Sequence, residues 1–238
     1  MGHDNESHGP RQAQIIERCQ RMKVVSLNVG LPRTILWKHR EVATGIFKEP
    51  VKGPVALRRF NLEGDRQADL ENHGGKVKAV YAYASEHYEF WGSELPGMEL
   101  PWGIFGENLT TKGLREENAH IGDHFRIGTA VLMVTQPRLP CYKLGLRFGR
   151  DDIVKRFFES KRSGIYFSIV KEGSISAGDD VECVHVDKNG VTVADINRAY
   201  ANAPENVPLM RRALELKALP PGFRSHFQEQ LASLGERR

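Results

Sequence analysis

Cys141 stands in the run Thr135-Gln136-Pro137-Arg138-Leu139-Pro140-Cys141-Tyr142-Lys143-Leu144, where two prolines stiffen the approach to the thiol and Arg138 and Lys143 bracket it with positive charge. A thiol ordinarily titrates near ~8.5, and a nearby guanidinium or ammonium favours its thiolate, so this setting suits a nucleophile or a ligand for a soft metal. The competing reading is a small apolar residue filling the core, as most free cysteines do, and the segment alone leaves both open. Cys19 and Cys183 form no CxxC or Cys/His spacing with it, so neither a zinc site nor a disulfide framework is indicated and a reducing compartment fits.

The elements that must hold this thiol are short. From Met22 the run Met22-Lys23-Val24-Val25-Ser26-Leu27-Asn28-Val29 carries a clear strand signal. Strand-like runs follow over Glu41 to Phe47, Val51 to Asn61, Val77 to Tyr83, His124 to Ile127, Ala130 to Thr135, Gly164 to Val170 and Asp180 to Val186, broken by Gly and Pro. Many short strands between turn residues predict a barrel or a sandwich. Two helices interrupt them, one capped by Ser85 and running through Trp91, the other from Arg150 to Ser160 with Ile153, Val154, Phe157 and Phe158 on one face.

The end of the chain changes character. Thr192-Val193-Ala194-Asp195 has the form of a capping box, followed by Val193, Ile196, Ala199 and Tyr200 on one helical face. A second helix has Pro208 in its first turn and Leu209, Ala213 and Leu216 on a stripe, and a third carries Phe223, Phe227, Leu231 and Leu234. The expected architecture is mostly β (α+β), a barrel over 22–188 with peripheral helices and a three-helix unit over 189–238. Residues 1–21 are polar and aperiodic, an extension or a short docking helix. Three short helices bury little alone, so they must pack on each other and on the barrel or a second subunit, which makes a homodimer one expected arrangement.

Composition is ordinary for a soluble globular chain of 238 residues, 40% apolar and 27% charged, with no apolar stretch of membrane-spanning length and no leader-like opening. A cytoplasmic protein with no membrane partner is the expectation. A net charge of +4 dispersed among 30 acidic residues is not a nucleic-acid arm, but it favours an anionic ligand if the cations converge on one cleft.

Four ordered blocks support a family resemblance. They are Thr44-Gly45-Ile46-Phe47-Lys48-Glu49-Pro50-Val51; Leu62-Glu63-Gly64-Asp65-Arg66-Gln67-Ala68-Asp69 followed by His73-Gly74-Gly75; Phe105-Gly106-Glu107-Asn108-Leu109-Thr110-Thr111; and Gln136-Pro137-Arg138 with Pro140-Cys141-Tyr142-Lys143-Leu144. Together they resemble the signature of the MOSC domain, in its YiiM-like branch, over about Met22 to Val186, and the helical tail resembles the three-helix unit that often follows there. The resemblance implies a β-barrel-like domain that holds the molybdenum cofactor, with the Cys141 thiolate on the metal and molybdopterin supplying a dithiolene. It also implies reduction of N-hydroxylated compounds, hydroxylaminopurine-type base analogues and hydroxylamines among them, to amines.

Beside that inheritance, residue chemistry suggests roles. A soft thiolate suits a metal held mainly by sulfur, and the planar fork of Arg138 suits a phosphate or an anionic pterin edge, with a surface ion pair as the plainer alternative. His73 precedes two glycines that let backbone approach a ligand, or is a turn histidine. Asn108, Thr110 and Thr111 offer neutral donors and acceptors at a loop, or satisfy their own backbone. Asp65 and Gln67 share a face if the segment is a strand, and Lys48 adds charge at the rim unless it is merely solvated. Tyr81, Tyr83, Tyr88, Phe90 and Trp91 read as core rather than as a base-stacking platform.

With no cysteine cluster for iron and sulfur and no GxGxxG opening a helix, electrons for a small-molecule substrate must come from a separate flavoprotein or ferredoxin-type donor. Two rival readings remain at this point: a persulfide carrier through Cys141, and a non-catalytic module binding an anion or nucleic acid.

Overall fold

Burial alternates over Lys23–Ser26 of β1 (Lys23–Val29), and a register shift between Val24 and Ser26 then lets Val24 and Leu27 both turn inward. The computed structural model describes residues 22–68 and 74–235. The expectations for residues 1–21 and for His73 therefore lie outside the described residues. β1 belongs to an eight-stranded sheet with β4 (Glu49–Pro50), β7 (Val80–Ala84), β8 (Leu109–Lys112), β9 (His124–Ile127), β10 (Ala130–Pro137), β11 (Ile165–Lys171) and β13 (Val181–His185), in the order β13-β9-β10-β11-β7-β8-β1-β4. Neighbours are antiparallel except β7 and β8.

The start of β1 also bonds to the turn before β13. Val24 N donates to Asp179 O at 2.9 Å, Gly178 N to Val24 O at 2.8 Å and Val181 N to Met22 O at 2.8 Å. These bonds join the two ends of the sheet, and the closed wall encloses Val24, Leu27, Val80, Leu109, Phe125, Leu132 and Phe167. Two small sheets decorate it: β12 (Gly173–Ile175) with β5 (Val55–Arg58) and β6 (Asn61–Leu62), and a hairpin of β2 (Arg33–Trp37) and β3 (Arg40–Thr44).

The mostly-β architecture with peripheral helices and a helical tail is the one expected, with local differences. Val51 to Asn61 is not one strand, because Lys52-Gly53-Pro54 breaks it, and Val77 lies in a 3-10 turn (Lys76–Lys78) before β7 begins at Val80. Helix α1 (Glu86–Glu94) starts after Ser85, but that hydroxyl caps no backbone N–H; it donates to Glu86 Oε2 at 3.3 Å instead. Two further helices, α2 (Tyr142–Phe148) and α3 (Asp152–Ser160), follow β10. Between them, α1 and the barrel, the rings of Tyr83, Trp91, Phe105 and Phe157 form a second apolar cluster.

The tail forms α4 (Val193–Ala201), α5 (Val207–Leu214) and α6 (Pro221–Ser233). The capping box is present: Asp195 N donates to Thr192 Oγ1 and Thr192 N to Asp195 Oδ2, both at 3.0 Å. Val193, Ile196, Met210, Phe223 and Phe227 join the barrel's own apolar cluster, so the tail shares a core with the barrel. Leu234, expected on the last stripe, falls past the end of α6 and is 39% exposed. Asn197 of α4 reaches the barrel side through its Nδ2, which donates to Ser163 Oγ at 2.8 Å. Among the described residues no helix is long and apolar enough to cross a membrane.

Candidate active site

Four loops converge on one open cleft of about 660 Å³, its mouth included. Thr44 to Lys48 follows the hairpin, Asp65 to Ala68 follows β6, Gly106 and Asn108 precede β8, and Arg138 to Lys143 links β10 to α2. Cys141 lines this space. It is half-buried, takes an extended backbone at the first cap position of α2 and accepts the Leu144 N–H on its carbonyl at 2.9 Å. It lies outside both apolar clusters, so the core-filler reading does not hold.

Charge converges here too. Lys48, Arg66, Lys78, Arg138 and Lys143 line the cleft, against the single carboxylate of Asp65 among the described residues. In a partly enclosed space such an excess of cations draws an anion and favours the thiolate form of a neighbouring cysteine.

Arg138 is buried, and Nη1 donates to the Phe105 carbonyl while its guanidinium lies 4.8 Å from the Tyr81 ring centroid. The surface ion pair is thereby corrected. Burial opposes its charge, but Tyr81, Tyr166 and Cys141 outweigh burial and raise its pKa. The position depends on Gly106, which has a φ of +78°; a Cβ there would meet Ile46 Cγ1 at 2.8 Å and Arg138 Nη1 at 3.7 Å. Tyr81 donates its hydroxyl to Ser163 O at 2.8 Å, and burial raises the pKa of both Tyr81 and Tyr166. Both phenols stay protonated at neutral pH.

Lys48 is buried rather than solvated, with Nζ bonded to Asp65 Oδ1. Burial lowers its pKa and Asp65 works against that shift. Asp65 also accepts from Gly30 N at 2.9 Å and from Asn108 Nδ2 at 2.9 Å, while Asn108 Oδ1 accepts from Tyr81 N at 3.1 Å. The carboxylate thus ties three loops together. Asp65→Ala leaves Lys48 buried without its counter-ion and should lower unfolding stability by about 3 kcal/mol, measured by urea denaturation. A change within experimental error would show that Lys48 escapes to water.

The other expected site residues divide. Gln67 lines the cleft, though from a loop rather than the strand that would have paired it with Asp65, and it braces that loop by donating to Lys78 O at 2.7 Å and accepting from Gly75 N at 3.2 Å. Thr110 and Thr111 sit on β8, not on a loop, and do not line the cleft. Thr110 Oγ1 donates to Glu107 Oε1 at 2.9 Å and accepts from Asn28 Nδ2 at 3.2 Å, and Thr111 Oγ1 is buried without a hydrogen bond. Arg66, Lys78, Tyr81 and Tyr166 were not singled out for the site. Arg66 lies inside one of the quoted blocks, whereas Tyr81 and Tyr166 sit within apolar strand runs like core residues.

A half-exposed thiol in a cation-rich cleft with amide partners fits a metal-bearing, phosphate-bearing ligand better than a neutral apolar one. The fold and this site define a class: the MOSC domain model matches residues 69–182, and the YiiM-like 3-alpha helix domain matches 191–234. The solved structure of YiiM from Geobacillus stearothermophilus superposes with a TM-score of 0.75 at 35% identity, over 88% of this chain and 99% of that one. The uncharacterized protein YflK of Bacillus subtilis is 42% identical over 211 residues, 89% of this chain and 95% of YflK. The chain belongs to the YiiM-like MOSC family. It is also 31% identical over 179 residues to a protein of Gibberella moniliformis named a reductase, matching 74% of this chain but only 32% of that longer protein.

Proposed function

We propose that this protein is a molybdenum-cofactor-dependent reductase of N-hydroxylated compounds. The observation that carries the reading is the convergence of Cys141, Arg138 and Lys143 with Lys48, Arg66 and Lys78 on one cleft. When bound, the cofactor would supply two-electron redox chemistry. Cys141 would provide the thiolate ligand, and Arg66, Lys78 and Arg138 would hold the phosphate and pterin edge by charge-assisted hydrogen bonds. Lys48, Asp65 and Asn108 fix the loops that carry these groups. Tyr166 lines the same cleft, and burial raises its pKa, so its phenol offers the site a neutral hydroxyl rather than a charge.

The overall change is R–NHOH + 2 e⁻ + 2 H⁺ → R–NH₂ + H₂O. The electrons come from a separate flavoprotein or ferredoxin-type donor.

The reading is tested by elemental analysis for molybdenum, with fluorescence of the oxidised pterin released from freshly purified protein. Molybdenum should be present in wild type, and Arg138→Lys should lower its occupancy several-fold, because a point charge cannot replace a fork already anchored to Phe105 O. A metal-free wild type with a persulfide on Cys141 would favour the carrier reading instead.

A further inference from the structure

Beyond the cleft, two guanidiniums meet on one ring. Arg33 of β2 lies 3.6 Å from the Phe47 ring centroid and Arg147 of α2 lies 4.9 Å from it. Phe47 stands between Ile46 and Lys48, which line the cleft, and Arg147 is one helical turn beyond Lys143, which also lines it. At the far end of the hairpin Lys38 Nζ pairs with Asp151 Oδ2 at 2.6 Å, which brings the tip beside α3, while Arg33 sits at the base, paired with Thr44.

Neither arginine makes an ion pair among the described residues. Arg147 Nε is buried without a hydrogen-bond partner. Burial first, then Arg33, depresses the Arg147 pKa; Glu107 and Glu49 act in the other direction without pairing with it. Two like charges on one ring repel, and the Arg147 Nε–H lacks an acceptor; an anion on the guanidiniums relieves the repulsion. Guanidinium forks suit a phosphate, which accepts from both at once.

We infer that Arg33 and Arg147 form a subsite for the phosphate of the substrate, which makes a nucleoside 5′-monophosphate with an N-hydroxylated base the preferred substrate class over the free base. This rests on the reductase reading. From Cys141 to Arg147 the chain rises about 9 Å along α2, comparable to the span of a purine nucleotide from its exocyclic nitrogen to its phosphorus. The base would then lie toward Cys141, where the metal would be held, while the phosphate rests on the arginines. The atoms balance as before: the N–O bond breaks, two electrons from the donor and two protons enter, water leaves, and the phosphate ester is untouched.

The test compares 6-N-hydroxylaminopurine with its ribonucleoside 5′-monophosphate in wild type, Arg33→Ala and Arg147→Ala, all assayed for molybdenum content. Arg33 is exposed, so its variant keeps the test valid if Arg147→Ala folds poorly. In both variants KM for the monophosphate should rise about tenfold, with KM for the free base within twofold and molybdenum content unchanged. Equal effects on both substrates, or none, would overturn the subsite. Loss of molybdenum would assign the arginines to the cofactor's own phosphate and overturn it too. A binding arm is independent of turnover: adenosine 5′-monophosphate should bind wild type and lose about tenfold in affinity in each variant, while adenosine is unaffected. Unchanged affinity for the monophosphate would sink the subsite, whereas a wild type that binds it but reduces neither substrate would sink the reductase reading alone.

Discussion

Cys141→Ser should abolish reduction of hydroxylaminopurine while leaving the fold intact. The substitution removes a soft ligand and changes volume little, and Cys141 is half-buried at the mouth of the cleft rather than in either apolar cluster. Loss of an outer partner of a metal ligand typically costs 10- to 100-fold, so loss of the ligand itself should exceed about 100-fold in kcat/KM. Molybdenum content should fall in parallel, with the thermal midpoint near wild type. Full activity in the serine variant would remove Cys141 from the metal. Cys183→Ser is the control: Cys183 pairs with Phe125 on β9, contacts His185 O at 3.4 Å and does not line the cleft, so the change should be nearly silent.

The thiol was legible in the sequence because its signal is local: two prolines, two cations and a cysteine within a few residues. Lys48 shows where such reading stops. Its neighbours in sequence give no sign of burial, and its partner Asp65 comes from a different loop. Asn108 is similar, since its amide links the backbone of Tyr81 to the Asp65 carboxylate, neither of them near it in sequence. Thr110 and Thr111 were drawn into the candidate site by polarity, but β8 runs parallel beside β7 in the middle of the sheet and buries both hydroxyls. Leu109, Thr110 and Thr111 are buried in succession, so β8 is covered on both faces and shows no in-and-out alternation to read from spacing.

The barrel strands themselves were legible from β-branched runs, as were the tail helices from apolar spacing and the Thr192 cap. The hairpin of β2 and β3 was only half visible. Arg33–Trp37 mixes charge with apolar residues, and most of its side chains face water, so no burial pattern marks it. Lys38 and His39 both take positive φ at its tip, where glycine or asparagine would have announced the turn.

Truncation after Lys188 should be the most damaging change outside the cleft. A chain of residues 22–188 loses the Val191 carbonyl that accepts from Ile121 N at 2.9 Å, and strips the Ala119 and Glu116 carbonyls of the Val193 and Ala194 N–H groups. It also uncovers the surface under Val193, Ile196, Met210, Phe223 and Phe227, all buried in the core they share with the barrel. At ~2 kcal/mol for each such side chain, this burial is about 10 kcal/mol, and even the part facing the barrel is a large fraction of the net stability of a domain. The loss reaches the site as well, because Asn197 of α4 holds Ser163, whose carbonyl receives the Tyr81 hydroxyl beneath Arg138. The truncated chain should therefore aggregate or change its assembly state in size-exclusion chromatography, and any soluble fraction should hold less molybdenum than the full chain. Unchanged solubility and assembly, with activity retained, would show that the tail is an independent appendage and that the shared core contributes little to holding the cleft.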